Sequence, residues 1–147
     1  MEGMKVNDEI TVTGQVTAEQ LKEAAGEGFK SVLNLRASDE EGFLFDEKER
    51  VEAAGLRYVN IPVKKDAIND ELTTRVLAEI DNLPKPALIH CASGMRAGAM
   101  TMMNLATRSG MNAKDAMDKA QAMGFDCNSE PQLKAYFEQY VDSHQKA

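Results

Sequence analysis

Residues 87–98, A-L-I-H-C-A-S-G-M-R-A-G, predict a short strand, a tight loop and the beginning of a helix. In this arrangement, backbone N–H groups and the N-terminus of the helix are directed at one point. A cysteine at that point, here Cys91, lies in a positive potential that favours the thiolate over the thiol. Arg96 adds a permanent positive charge and a planar set of donors that suits an oxyanion. The stretch therefore predicts a reactive thiolate beside an anion-binding loop.

The residues of this loop also have an alternative interpretation as ordinary packing. A lone cysteine after an apolar strand is usually a small buried hydrophobe. Here, however, His90, Cys91, Gly94 and Arg96 occur together at a strand-to-helix junction, in a chain that has only two cysteines. We therefore predict that Cys91 is the nucleophile and Arg96 the cation. The other predicted anion-binding positions of the loop are Ala92, Ser93, Gly94, Met95 and Ala97.

The composition is that of an ordinary globular protein with an acidic balance. The 147 residues predict one domain over 1–147, with 43% hydrophobic and 28% charged residues. A net charge of −7 argues against nucleic acid or an anionic membrane as a partner. The polar opening and the lack of a long apolar run predict a cytoplasmic protein. Two cysteines do not form a disulfide framework, and no His/Cys cluster has zinc spacing, so we predict neither a metal nor a cofactor.

Strand and helix patterns alternate through the first 90 residues. Predicted strands cover 10–14, 29–35, 56–63 and 86–89, and predicted helices cover 18–25, 45–54, 70–83, 96–107, 113–123 and 131–143. This order predicts an α/β fold with a mostly parallel central sheet of four to five strands, flanked by helices on both faces. In such sheets the active site lies beyond the carboxyl ends of the strands.

Several polar residues follow these predicted strand ends. Arg36 follows the second strand, where it either helps to bind an anionic substrate or forms a structural salt bridge; both interpretations stay open. Residues 64–66 follow the third strand, and the acidic tract 39–41 is interpreted as a solvated surface. His90 points away from Cys91 if strand alternation holds, so we predict a buried histidine that braces the loop.

Three motifs resemble a known family. The pattern H-C-x-x-G-x-R at 90–96 resembles the signature of the cysteine-dependent phosphatases of the dual-specificity type. More closely, G-F-K-S-V-L-N-L-R at 28–36, Y-V-N-I-P-V at 58–63 and C-A-S-G-M-R at 91–96 resemble the bacterial beta-lactamase hydrolase-like, phosphatase-like domains. The resemblance implies a protein-tyrosine-phosphatase-like fold with a cysteine nucleophile and an arginine that binds the oxyanion.

The chain departs from the phosphatase pattern at three points. Those phosphatases have five residues between the cysteine and the arginine, whereas this chain has four, 92–95. Rhodanese-type sulfurtransferases, which have a different fold, use the shorter loop to hold a single terminal sulfur. The phosphatases usually follow the arginine with Ser or Thr, whereas this chain has Ala97. The position of their general acid falls on Lys65, so Asp66, one residue further, is the candidate acid.

Together, these departures favour sulfur transfer. We predict that the Cys91 thiolate attacks thiosulfate or a small persulfide and passes the sulfane sulfur to a thiol acceptor through a Cys91 persulfide. The alternative is a phosphatase, in which Cys91 attacks a phosphomonoester, Arg96 holds its oxygens and Asp66 protonates the leaving alkoxide. A minor alternative is a non-catalytic anion-binding or redox-sensing module. Cys127 is either a resolving thiol or a packing residue.

Overall fold

The computed structural model describes residues 3–64, 67–125 and 130–144, so that Lys65, Asp66 and Cys127 lie outside the described residues. The described residues form a sheet with flanking helices, which confirms the predicted α/β class. The strands are β1 (Met4–Lys5), β2 (Ile10–Thr13), β3 (Ser31–Asn34), β4 (Arg57–Asn60) and β5 (Ala87–His90). The helices are α1 (Ala18–Gly26), α2 (Glu47–Ala53), α3 (Asp70–Asn82), α4 (Met95–Ser109), α5 (Ala113–Ala122) and α6 (Pro131–Ser143).

The strands of the sheet lie in the order β1-β2-β5-β3-β4. Strands β2 to β5 run parallel to their neighbours, whereas β1 pairs with β2 in the antiparallel direction at one edge. The register places Thr13, His90, Asn34 and Asn60 level with one another at the carboxyl ends of the parallel strands. The segments that follow these four residues therefore meet at one edge of the sheet, where ligands bind in open α/β folds.

Each face of the sheet is covered by its own helices, as predicted. Val32 and Leu88 pack with α1 and α2 on one face. Leu33 and Ile89 pack on the other face with α3, α4, α5 and α6. Because side chains alternate along a strand, His90 shares the α1/α2 face with Leu88. Cys91 belongs to the opposite core.

Two asparagines shape the turn that carries Arg36. The Arg36 N–H donates to Asn34 Oδ1 over 2.9 Å. Asn60 Nδ2 donates to the carbonyl oxygens of Asn34, over 2.8 Å, and Arg36, over 2.9 Å. These bonds satisfy backbone groups where the regular ladder stops, as buried backbone groups require. They also fix the direction in which Arg36 leaves the sheet.

Helix α4 begins directly at the loop after β5. Gly94 stands before it with a φ of 92°, a left-handed conformation that favours glycine because it has no Cβ. Gly110 ends the helix with a φ of 76°. The loop residues 91–94 are thus confined between a buried strand and the N-terminus of a long buried helix. Within the described ranges, no helix is long and apolar enough to cross a membrane.

Candidate active site

The loop after β5 curls around the sulfur of Cys91. The side chain of Cys91 is fully buried, and its Sγ accepts the N–H of Gly94 over 3.1 Å and that of Ala97 over 3.5 Å. These two amides belong to the turn and to the first turn of α4, where the N–H groups have no partner within the helix. The loop therefore presents N–H groups to the sulfur, as an anion-binding loop does.

A second loop, after β2, supports the first from behind. The N–H of Gln15 donates to the carbonyl oxygen of Ala92 over 3.1 Å. The N–H of Cys91 donates to the carbonyl oxygen of Thr13 over 3.4 Å. A Cβ on Gly14 would lie only 2.9 Å from the Ala92 oxygen. The two loops approach each other this closely because position 14 is a glycine.

The guanidinium of Arg96 is held along one of its two donor forks. Nη1 and Nη2 each donate to one carboxylate oxygen of Glu40 over 2.8 Å, and Nη1 also donates to the carbonyl oxygen of Val63 over 2.8 Å. A guanidinium has five N–H groups, and two of them, Nε–H and the second Nη2–H, are not used by Glu40 and Val63. Hydrogen bonds with Glu40, and to a lesser extent the nearby Cys91, raise the pKa of Arg96. The arginine is therefore a fixed cation within reach of Cys91.

Glu40 is a site residue that sequence reasoning missed. The acidic tract 39–41 was interpreted as solvated surface, and for Glu40 this is wrong. Its carboxylate accepts the Ala37 N–H over 2.6 Å and Arg36 Nε over 3.2 Å, in addition to both donors of Arg96. These bonds, those with Arg96 above all, lower the pKa of Glu40 to about 2. The only sequence signal was the spacing of four residues between Arg36 and Glu40.

We expect Glu40→Gln to destabilise the protein by about 1–3 kcal/mol at pH 7, because Arg96 then loses a charged, bidentate acceptor. The pKa of Glu40 in the folded protein, about 2, lies below its ordinary value of 4.5. The stabilisation by the Glu40 carboxylate is therefore complete above pH 4.5 and is lost as the pH falls towards 2. Urea unfolding of both proteins between pH 7 and pH 2.5, in about half-unit steps, measures this.

The matched control is Glu41→Gln, because the Glu41 side chain is exposed and adjacent in sequence. It should stay within about 0.5 kcal/mol of the parent protein throughout. A Glu40→Gln penalty that is constant from pH 7 to pH 2.5 would contradict the assigned role of the Glu40 charge.

Arg36 is buried and engaged with protein acceptors. Its Nη1 donates to Gln15 Oε1 over 2.7 Å and to the Gly42 carbonyl oxygen over 3.1 Å, its Nε donates to Glu40, and its Nη2 donates to the Glu41 carbonyl oxygen. Of the two interpretations left open by the sequence, these contacts favour the structural salt bridge over direct substrate binding. Through Glu40, Arg36 is connected to Arg96.

His90 lies on the face opposite to Cys91, in a closed environment. Its Nε2 lies 2.7 Å from Glu47 Oε2, and both side chains are fully buried. Its Nδ1 lies 3.4 Å from the carbonyl oxygen of Cys91. Glu47, at the start of α2, is a second residue that sequence reasoning missed, because nothing in its local sequence distinguishes it from an exposed helix-terminal acid.

Two clefts differ in their relation to this site. A cleft of about 380 Å³ lies at the loop and is lined by Ser93, Gly94 and Met95 from one side and by Phe125 from the other. A larger one, of about 600 Å³, lies between α5 and α6 and includes no residue of the loop. Neither cleft is lined by Cys91 or Arg96, so we locate the candidate site at these two side chains and not in either cleft. Among residues 3–64, 67–125 and 130–144, no group of three or more His, Cys, Asp or Glu side chains could hold a metal ion.

Comparison with known proteins identifies the family. The family model described as "Beta-lactamase hydrolase-like protein, phosphatase-like domain" matches residues 4–108, which include the whole sheet and the Cys91 loop. The chain belongs to this family. The family assignment and the protein-tyrosine-phosphatase-like fold predicted from the three motifs are thereby confirmed.

Curated relatives and solved structures resemble the chain over most of its length. A beta-lactamase hydrolase-like protein of Agrobacterium fabrum is 26% identical over 152 aligned residues, which cover 94% of this chain and 35% of that protein. The chain thus spans about a third of the length of the curated relatives it matches. A structure of a phosphatase candidate (DUF442) from Shewanella putrefaciens CN-32 has a TM-score of 0.83 at 21% identity and covers 97% of this chain and 90% of that one. TpbA of P. aeruginosa in complex with pTyr has a TM-score of 0.73 at 19% identity and covers 90% of this chain and 80% of its own.

The predicted sulfurtransferase function is wrong by these comparisons. The matching family is described as phosphatase-like, and the similar structures include the phosphatase candidate from Shewanella putrefaciens and a PP-IP phosphatase from S. cerevisiae. The sulfur-transfer prediction rested on three departures from the phosphatase pattern, one of which is the four-residue spacing between Cys91 and Arg96. That spacing occurs here on a phosphatase-like sheet. Loop length alone therefore does not separate the two reactions, and thiosulfate and a thiol acceptor are no longer indicated.

Proposed function

We propose that this domain is a phosphatase that hydrolyses phosphomonoesters through a Cys91 phosphoenzyme. The observation that carries the proposal is the guanidinium of Arg96, one fork of which is fixed by Glu40 while the other remains for an oxyanion close to Cys91. A planar fork matches two oxygens of a tetrahedral phosphate. The phosphatase-like family model supports the same reaction class.

The first step is attack of the Cys91 thiolate on phosphorus. An S–P bond forms while the P–O bond to the leaving group breaks, and the electron pair of that bond goes to the leaving oxygen. The loop amides and the second fork of Arg96 stabilise the negative charge on the non-bridging oxygens. Because the loop and the arginine are fixed before substrate arrives, little reorganisation is needed in the transition state.

The second step regenerates the enzyme. Water attacks phosphorus, the S–P bond breaks, and the electron pair returns to Cys91 as inorganic phosphate leaves. Asp66 is the candidate for protonating the leaving alkoxide in the first step and for accepting the proton of water in the second. The residue after the arginine is Ala97, so this position offers no hydroxyl to the departing thiolate.

An aryl phosphate is the first substrate to test, because the fold resembles that of P. aeruginosa TpbA, whose structure contains pTyr. Mixed with a radiolabelled aryl phosphate and quenched in acid, the protein should carry labelled phosphate on Cys91, as found by peptide mapping. Inorganic phosphate should be released at a steady rate that depends on enzyme concentration. The absence of both label and turnover with aryl and alkyl phosphomonoesters would overturn the proposal.

We expect Asp66→Asn to lower kcat for an alkyl phosphate by about 10²-fold, because an alkoxide needs a proton in order to leave. The loss for para-nitrophenyl phosphate should be several times smaller, since nitrophenoxide is a much better leaving group. Steady-state kinetics with both substrates measure the difference. Asp118→Asn, a change of an exposed acid on α5, is the matched control. Equal losses for the two substrates would mean that Asp66 does not protonate the leaving group.

A further inference from the structure

We propose that Gln15 is a positioning residue that connects the two ends of the Cys91 loop through one chain of hydrogen bonds. The effect of Gln15 on catalysis rests on the proposed phosphatase function. Its structural basis is independent of the substrate, because it concerns how Cys91 and Arg96 are held relative to each other. Gln15 lies in the loop after β2, and its side chain forms hydrogen bonds with Val16, Glu47 and Arg36.

The first arm of the chain runs from Gln15 to the residue before the nucleophile. Gln15 Nε2 donates to Glu47 Oε1 over 2.9 Å. The other oxygen of Glu47 lies 2.7 Å from His90 Nε2. His90 in turn lies 3.4 Å, through Nδ1, from the carbonyl oxygen of Cys91. Gln15 thereby acts on the beginning of the loop through a fully buried pair.

The second arm runs from Gln15 to the arginine at the end of the loop. Gln15 Oε1 accepts Arg36 Nη1 over 2.7 Å. Arg36 Nε donates to Glu40 over 3.2 Å, and Glu40 holds the guanidinium of Arg96 with both oxygens. Arg36 is buried, so its partners are protein groups rather than bulk water. The far end of the loop is thus oriented through the same glutamine.

The chemistry of a primary amide suits this position. Glu47 requires a donor and Arg36 requires an acceptor, and a glutamine side chain presents one of each about two bond lengths apart. A carboxylate at position 15 would still accept from Arg36 but would face the Glu47 carboxylate without a proton between them. An apolar side chain would leave buried partners on both sides unsatisfied, which is costly.

The backbone of Gln15 also contacts the middle of the Cys91 loop directly. The N–H of Gln15 donates to the Ala92 carbonyl oxygen over 3.1 Å, and Gln15 Nε2 also donates to the Val16 carbonyl oxygen over 3.0 Å. The side chain of Gln15 is therefore fixed relative to the backbone that supports the loop. Loss of the amide should shift Arg96 relative to Cys91 without removing either reactive group.

The test measures how well Arg96 faces Cys91, independently of any phosphatase activity. Alkylation of Cys91 by iodoacetate, which is anionic, is compared with alkylation by neutral iodoacetamide in the full chain. The ratio of the two rates reports the cation next to the sulfur and cancels changes in the reactivity of the sulfur itself. Gln15→Met should lower this ratio at least about threefold, the size of a weakened charge interaction near a protein surface. Arg96→Met defines the ratio expected when the guanidinium is absent.

The exchange variant Gln15→Glu/Glu47→Gln provides the rescue. In it the amide stands at position 47, where it donates to the new carboxylate and accepts from His90, while the carboxylate accepts from Arg36. Gln15→Glu alone and Glu47→Gln alone should each lower the alkylation ratio. The exchange variant should restore the ratio to within about twofold of that of the parent protein, as expected for directly coupled residues. Gln132→Met, which changes an exposed glutamine on α6, is the matched control and should leave the ratio unchanged.

An alkylation ratio unchanged in folded Gln15→Met would overturn the proposal. If Gln15→Met does not fold, the exchange decides: a folded exchange variant with a ratio as low as that of Arg96→Met also overturns it. A further outcome is that all variants show the expected alkylation ratios while the parent protein hydrolyses no phosphomonoester. That result would overturn the proposed function and leave the role of Gln15 supported. The two failures are therefore distinguishable.

Discussion

Cys91→Ser should reduce phosphomonoester hydrolysis by at least about 10⁴-fold, to the rate of buffer containing no enzyme. A serine hydroxyl stays protonated at neutral pH, whereas the cysteine sulfur is the group on which the Gly94 and Ala97 N–H groups converge. No described side chain replaces it, since Cys91 is the only cysteine among the residues that the structure describes. Steady-state hydrolysis of para-nitrophenyl phosphate measures the loss.

The Cys91→Ser protein should remain folded, because serine is smaller than cysteine and the loop amides can donate to its oxygen. Its affinity for inorganic phosphate, measured by calorimetry, should stay within about tenfold of the parent, since the oxyanion donors are intact. Ser109→Ala, at the exposed end of α4, is the matched control for activity. Residual turnover by Cys91→Ser above about 1% of the parent rate would remove Cys91 from the role of nucleophile.

Arg96→Met should lower kcat/KM for an aryl phosphate by at least about 10³-fold, because a single lost oxyanion donor already costs about 10²-fold or more. In the proposed reaction, Arg96 supplies two donors through its second fork together with a full charge. Arg96→Lys keeps the charge but loses the fork, so its loss should be intermediate and at least about tenfold. The comparison of the two variants separates the contribution of charge from that of geometry.

Folding must be checked in the Arg96 variants, since each leaves Glu40 with a poorer partner. Unfolding in urea at pH 7 serves this purpose, and combining Arg96→Met with Glu40→Gln should recover part of the lost stability, because the unpaired carboxylate is then removed. Arg108→Lys changes an exposed arginine of the same helix, paired with Asp81, and should keep the parent activity. Parent-level activity in Arg96→Lys would mean that the fork does not bind substrate.

The family and the fold illustrate what local sequence can determine. The elements of the sheet were predicted because apolar periodicity and turn residues act over a few positions, as in 87–98. Thr17 and Gln20 form a capping box at the start of α1, which is again a contact between residues three positions apart. Strand β1 was not predicted, since two residues, Met4–Lys5, carry no period. Its existence depends on pairing with β2, which supplies all of its ladder bonds.

The reaction could not be decided from the loop alone. The spacing of Cys91 and Arg96 is compatible with a single sulfur or with a phosphate, because the backbone of a short loop offers amides to either anion. The family match, and not the loop, argues against sulfur transfer. The sequence also does not show the orientation of the Arg96 guanidinium, which depends on Glu40, 56 residues earlier in the chain. Asp66, which the sequence places near the site, lies outside the described residues and stays a prediction.

By itself, the sequence determined the family, the strand-loop-helix order around Cys91 and the alternating order of strands and helices, because each depends on residues that are neighbours in the chain. Only the tertiary structure decided which side chains support that loop. Gln15 reaches Glu47 across 32 positions, and Glu47 reaches His90 across 43. These partners meet because β5 lies between β2 and β3 in the sheet, an order set by the packing of two cores and not by any local pattern.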